Sequence, residues 1–86
     1  MSDFSTTLSR REWDTRKTAE ECSELATVLL QQLNKPHKNL DDEVIEELGD
    51  VLFRIERLKQ YYDSDQLQKR ILYKITKEEI KDEKRN

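Results

Sequence analysis

Two short acidic patterns have residue types and spacing suited to shared chemistry: Glu20-Glu21-Cys22-Ser23-Glu24-Leu25 and Glu46-Glu47-Leu48-Gly49-Asp50-Val51-Leu52. Each holds two carboxylates three residues apart. At about 100° per residue, a three-residue helical step returns a side chain to within about 60°, so Glu21 shares a face with Glu24, and Glu47 with Asp50. Neighbouring like charges destabilise a helix unless a cation or a basic group compensates them. Carboxylate-only ligation suits Mg²⁺ or Mn²⁺, whereas zinc and di-iron centres draw on histidine, and the lone histidine, His37, falls beside Pro36 in a turn. Mg²⁺ keeps several waters and works with substrate phosphates, which points such a site toward phosphate chemistry.

The elements that must position these pairs are helices. Periodicity predicts three, over residues 7–34, 39–62 and 64–84. Pro36 ends the first, Asn39 with Asp42 reads as a cap for the second, and Asp63-Ser64-Asp65 supplies the next interruption. Asp14 or Thr15 is also a possible cap, so the first helix could be broken there and leave Trp13 at a corner. Ala19, Cys22, Ala26, Leu29, Leu30 and Leu33 form one apolar face. Val44, Leu48, Val51, Ile55, Leu58 and Tyr62 form a second, widened by Ile45 and Leu52, and Leu67, Ile71, Leu72 and Ile75 form a third. Residues 1–6 and the charged tail 82–86 are expected to be mobile. Gly49, inside the second helix and between Glu47 and Asp50, suggests a close approach of a helix or ligand.

An antiparallel hairpin lets the two acidic pairs meet. Glu24 and Glu21 lie ten and thirteen residues before Asn34, while Glu47 and Asp50 lie eight and eleven after Asn39. Their mean depths differ by two residues, about 3 Å at 1.5 Å per residue. Four carboxylates around one partly buried point require raised pKa values, basic partners or a divalent ion.

These residues resemble the all-α nucleoside triphosphate pyrophosphohydrolases of the MazG type, which have the dimeric deoxyuridine triphosphatases as relatives. The signature Glu-x-x-Glu followed by Glu-x-x-Asp is matched by Glu21, Glu24, Glu47 and Asp50. The Glu-Glu-x-x-Glu-Leu and Glu-Leu-x-Asp-Val-Leu contexts also fit, and Tyr73-Lys74-Ile75-Thr76-Lys77 is similar to the family's basic third-helix segment. The resemblance spans residues 13–77. It implies cleavage of a nucleoside triphosphate to the monophosphate and pyrophosphate, with Mg²⁺ or Mn²⁺ on the four carboxylates and a site built in a dimer or a dimer of dimers. It also implies that Glu24 orients or deprotonates the attacking water and that Lys74 and Lys77 hold phosphate oxygens. Lys17 and Arg54, each one turn from the carboxylates, are further phosphate candidates, although ion pairing of Lys17 with Glu21 and of Arg54 with Asp50 or Glu47 competes with that role. Trp13 is a candidate for stacking on the base, or for anchoring an interface.

Composition bounds the rest. Eighty-six residues, 34% hydrophobic and 41% charged with one Gly and one Pro, exclude a β-sandwich and a Gly-rich phosphate loop. They predict a single all-α domain, an antiparallel helical bundle too small to cover its own second-helix stripe and therefore completed by oligomerisation, as a dimer first and a tetramer next. Sixteen basic against nineteen acidic residues give a net charge of −3, without the basic footprint of a nucleic-acid or membrane binder. The sequence shows neither a membrane span nor a signal peptide, so the expectation is a cytoplasmic protein. Cys22, on the apolar face, is expected to be inert core. The competing reading is a non-catalytic helical dimerisation or regulatory module whose acidic faces bind a basic partner, or which binds nucleotide without cleaving it.

Overall fold

The computed structural model describes residues 8–85 and is all-helical there: α1 Arg10–Asn34, α2 Asp41–Lys59 and α3 Ser64–Arg85. The region expected to be mobile at the start of the chain lies outside the described residues. α1 begins at a capping box, in which Ser9 Oγ accepts from the Glu12 backbone N–H at 3.0 Å and Glu12 Oε1 accepts from the Ser9 N–H at 2.9 Å. It then runs unbroken to Asn34, so Asp14 and Thr15 do not start a new segment. α2 starts two residues later than the Asn39 signal. Asn39 Oδ1 accepts from the Asp41 N–H at 3.0 Å, but the cap position belongs to Leu40, which is buried. α2 also stops before Tyr62, in a turn over residues 60–62. The charged C-terminal stretch is helical through Arg85.

α1 and α2 pack as an antiparallel hairpin, and α3 makes little contact with either. The least exposed positions of α1 are Asp14, Thr18, Glu21, Leu25, Val28 and Gln32, with Lys17 at the edge of the row, and those of the α2 side are Leu40, Val44, Glu47, Val51, Arg54, Leu58 and Tyr61, with Arg57 at its edge. Both sets step by four and three residues, the spacing of a coiled-coil seam. The seam is apolar near the turn and polar toward the open end. It is rotated from the one hydrophobicity predicts: Ala19, Cys22, Ala26, Leu29, Leu30 and Leu33 lie outside it and are exposed, Leu33 by 75%. Cys22 is therefore an exposed thiol rather than core. On α2 the exposed partners of that stripe are Ile45, Leu48, Leu52 and Ile55.

The single chain is thus an open structure. Its radius of gyration is 17.2 Å, against about 12 Å for a compact domain of this length. No helix among the described residues is long and apolar enough to cross a membrane.

Candidate metal and nucleotide site

The polar half of the seam is fixed by Asp14, which is fully buried. Its Oδ2 accepts from the Tyr61 hydroxyl at 2.6 Å and its Oδ1 from Arg57 Nε at 3.1 Å, while Thr18 Oγ1 donates to the Asp14 carbonyl at 2.6 Å. The Tyr61 hydrogen bond, followed by the Arg57 guanidinium, outweighs burial and holds the Asp14 carboxyl below the usual aspartate range. The same bond pushes the Tyr61 phenol up. A buried charge survives here because both of its oxygens are satisfied.

One heptad further along α1, Glu21 lies in the seam beside Arg54, and Glu47 lies in the seam of α2 one heptad before Arg54, nearer the turn. Glu24 and Asp50 lie three residues on from them, exposed on a common flank of the hairpin. The Glu21 carboxyl is pushed up first by its hydrogen bond to Glu24, then by burial and by the charges of Asp50 and Glu24, with Arg54 opposing. Glu47 is pushed up by burial first, and then by Asp50, Glu46 and Glu21. Glu21 thus feels Glu24 and Asp50, and Glu47 feels Asp50 and Glu21. Arg54 Nε stands 3.9 Å from Glu21 Oε2, too far for a hydrogen bond, and is buried with no other partner.

Hard carboxylate oxygens whose protonation is favoured by mutual repulsion suit a divalent ion in kind and in register. As the side chains stand, however, no group of three or more Asp, Glu, His or Cys residues among the described residues is gathered to hold one. The Arg54 guanidinium, 3.9 Å from Glu21 Oε2, takes up part of the repulsion instead.

The other sequence candidates divide. Lys17 pairs with Glu20 at 3.0 Å, not with Glu21, and its Nζ lies 5.5 Å from the Trp13 ring centroid. Arg54 joins the carboxylates, beside Glu21 rather than Asp50 or Glu47. Lys74 and Lys77 are not brought there within one chain. Lys74 pairs with Glu78 at 3.3 Å and Lys77 lies over the Tyr73 ring, both on α3. Gly49 faces open space, since a Cβ built there meets nothing within 4 Å, so no close approach within the chain accounts for it. His37 is an exposed turn residue, as expected.

Asp14, Arg57 and Tyr61 escaped the sequence reading. Their signal was the four-and-three spacing of polar residues through Asp14, Thr18 and Glu21, which a search for apolar positions passes over. No family model, curated protein or solved structure matches the chain.

Proposed function

We propose that the chain is a Mg²⁺-dependent nucleoside triphosphate pyrophosphohydrolase of the cytoplasm, releasing pyrophosphate and a nucleoside monophosphate. The observation that carries this reading is the register of two carboxylate pairs along one hairpin, where Glu21 is pushed up by Glu24, burial and Asp50, and Glu47 by burial, Asp50, Glu46 and Glu21. Glu21, Glu24, Glu47 and Asp50 hold the metal, Mg²⁺ or Mn²⁺. When bound, it supplies charge neutralisation at the phosphate oxygens and acidifies a water.

Glu24 is the exposed member of the α1 pair, open to substrate and water. It orients the attacking water and accepts its proton. The unsatisfied Arg54 Nε gains an acceptor when a phosphate oxygen enters, which gives that guanidinium a role at the substrate. Lys17, on the same flank one heptad before Glu24, contributes charge at longer range.

Self-association completes the bundle. The exposed stripes of α1 and α2 are two sides of one apolar flank, opposite the acidic one, and a second hairpin laid on them gives a four-helix arrangement. In that assembly Lys74 and Lys77 reach phosphates as point charges from α3. The same apolar flank is what favours the second reading, a non-catalytic dimerisation module. Pyrophosphate release from a panel of nucleoside triphosphates with Mg²⁺ tests the proposal, and no release from any of them at millimolar Mg²⁺ or Mn²⁺ leaves the second reading.

A further inference from the structure

The acidic flank changes character toward the open end of the hairpin. Arg57 follows Asp50 by seven residues and Arg10 precedes Lys17 by seven, so both guanidiniums continue the line of the carboxylate cluster along their helices. Between them is a cleft of about 410 Å³ lined by Leu8, Ser9, Arg10, Trp13 and Arg57. Trp13 is 47% exposed, presenting a flat ring beside the two guanidiniums, with the Lys17 ammonium 5.5 Å from its centroid.

Among the described residues the side chains of this cleft offer mainly donors, since the acceptor Ser9 Oγ is already engaged by the Glu12 N–H. Arg57 commits only Nε to Asp14, which leaves its terminal nitrogens, and among the described residues Arg10 makes no ion pair. The nearby carboxylates are already engaged: both oxygens of Asp14 accept, from Tyr61 and Arg57, and Glu12 serves the capping box. A ligand here must therefore bring acceptors and a planar face. A bare phosphate would bring the first without using the indole.

We propose that this cleft is a nucleobase subsite selecting bases that carry carbonyl acceptors on their edge, guanine foremost. Guanine stacks on Trp13 and offers O6 and N7 to a guanidinium fork, whereas the amino group that cytosine or adenine places at the equivalent edge meets a second donor. Trp13 precedes Glu21 by eight residues, about 12 Å along the helix at 1.5 Å per residue, a span that an extended nucleoside triphosphate covers from base to phosphates. In taking the ligand to be a nucleotide, the inference rests on the reading above. It adds base selection and assigns it to Arg10, Arg57 and Trp13.

Trp13 is the only tryptophan of the chain, so its emission reports on the cleft directly. The full chain in EDTA is titrated with GMP, CMP and inorganic phosphate, following Trp13 emission and binding heat. GMP is expected to bind about tenfold more tightly than CMP, the scale of one good guanidinium–guanine pair, and Arg10→Gln to remove that margin. Glu43→Gln, toward the turn and outside both the cleft and the two carboxylate pairs, should leave GMP binding unchanged. Equal binding of GMP and CMP, a Trp13 response to phosphate matching that to GMP, or no response to any of the three overturns the subsite. GMP binding that survives in a protein releasing no pyrophosphate would instead reject the catalytic reading and keep the subsite.

Discussion

Tyr61 donates its phenolic hydrogen to Asp14 Oδ2 at 2.6 Å, joining residues 47 apart in sequence at the open end of the hairpin. Nearest the turn the seam holds Leu25, Val28, Leu40 and Val44 with Gln32 as its one polar side chain, so the two ends of one interface are kept together by different physics. The apolar end is held by burial and is insensitive to pH. The polar end depends on a charged carboxylate and a neutral phenol.

The pH dependence of that clamp has a definite sign. Asp14 has a lowered pKa in the fold, so its contribution is present above the ordinary aspartate range and is lost as pH falls through the folded value. The Tyr61 pKa is raised, so its contribution is complete below the ordinary tyrosine range and is lost as pH rises through the folded value. Tyr61→Phe should melt several degrees below the parent across neutral pH, with the gap narrowing in strong acid as Asp14 is protonated. Thermal melts of the two proteins over that range check it, and equal melting temperatures at neutral pH would sink the clamp.

Gly49→Ala should raise stability by about 1 kcal/mol, the ordinary helix-interior difference, because an added Cβ meets open space. Urea unfolding measures it. Destabilisation would reveal that a partner chain or a ligand closes on Gly49 in the working protein.

How much of this was legible in the sequence depended on what each signal measures. The three helices follow from apolar periodicity and few breakers, and the placing of Glu21, Glu24, Glu47 and Asp50 along one stretch of the hairpin follows from counting residues to a turn, whereas their side chains are not gathered around one point. The rotation of the seam did not follow, because hydrophobicity ranks Leu29 and Leu33 above Asp14, Thr18 and Glu21 as core. In a chain this small the hairpin buries the stripe whose polar groups can satisfy one another and leaves the more apolar stripe outside. The start of α1 was readable, since Ser9-Arg10-Arg11-Glu12 has the capping-box spacing. The start of α2 was not, because the buried side chain of Leu40 outranks the polar cap of Asn39 in placing the first turn.

Metal should act on stability before it acts on substrate. A carboxylate whose pKa is raised on folding makes the folded state the better proton binder, so stability falls as pH rises from the ordinary glutamate range through the raised value. Millimolar Mg²⁺ should therefore raise the melting temperature at neutral pH and have little effect near the ordinary glutamate range, where the carboxyls are largely protonated. Glu47→Gln should melt higher than the parent without metal and lose the Mg²⁺ response. A melting temperature of the parent indifferent to Mg²⁺ at both pH values would count against the site.

Self-association is expected at micromolar concentration, as a dimer, because an isolated chain leaves Leu29, Leu30 and Leu33 exposed beside Ile45, Leu48 and Leu52. Leu30 and Leu52 are both more than half exposed, so Leu30→Glu with Leu52→Glu should leave the hairpin seam intact while opposing the second copy. Sedimentation equilibrium of the two proteins reads the outcome. A folded monomer of the parent at that concentration would remove the assembly, and with it the route by which Lys74 and Lys77 reach phosphate.

The carboxylates themselves separate an enzyme from an acidic docking face. Glu47→Gln and Asp50→Asn keep side-chain size and helix compatibility while removing ligand charge, so each should reduce Mg²⁺-dependent pyrophosphate release by at least about a hundredfold without altering helicity or oligomer size. Glu24→Gln should lose as much turnover but keep more nucleotide affinity, because its carboxylate takes the proton of the attacking water. Glu43→Gln is the matched control. Glu43 precedes Asp50 by seven residues, on the same flank but about 10 Å along the helix toward the turn, where it can share neither the ion nor the water. It should keep most activity, because a site built on ligand geometry distinguishes Glu43 from Glu47 whereas a diffuse acidic surface does not. Equal losses in the Glu43→Gln and Glu47→Gln proteins, measured as pyrophosphate release at saturating Mg²⁺, would therefore reassign the whole acidic flank to partner binding.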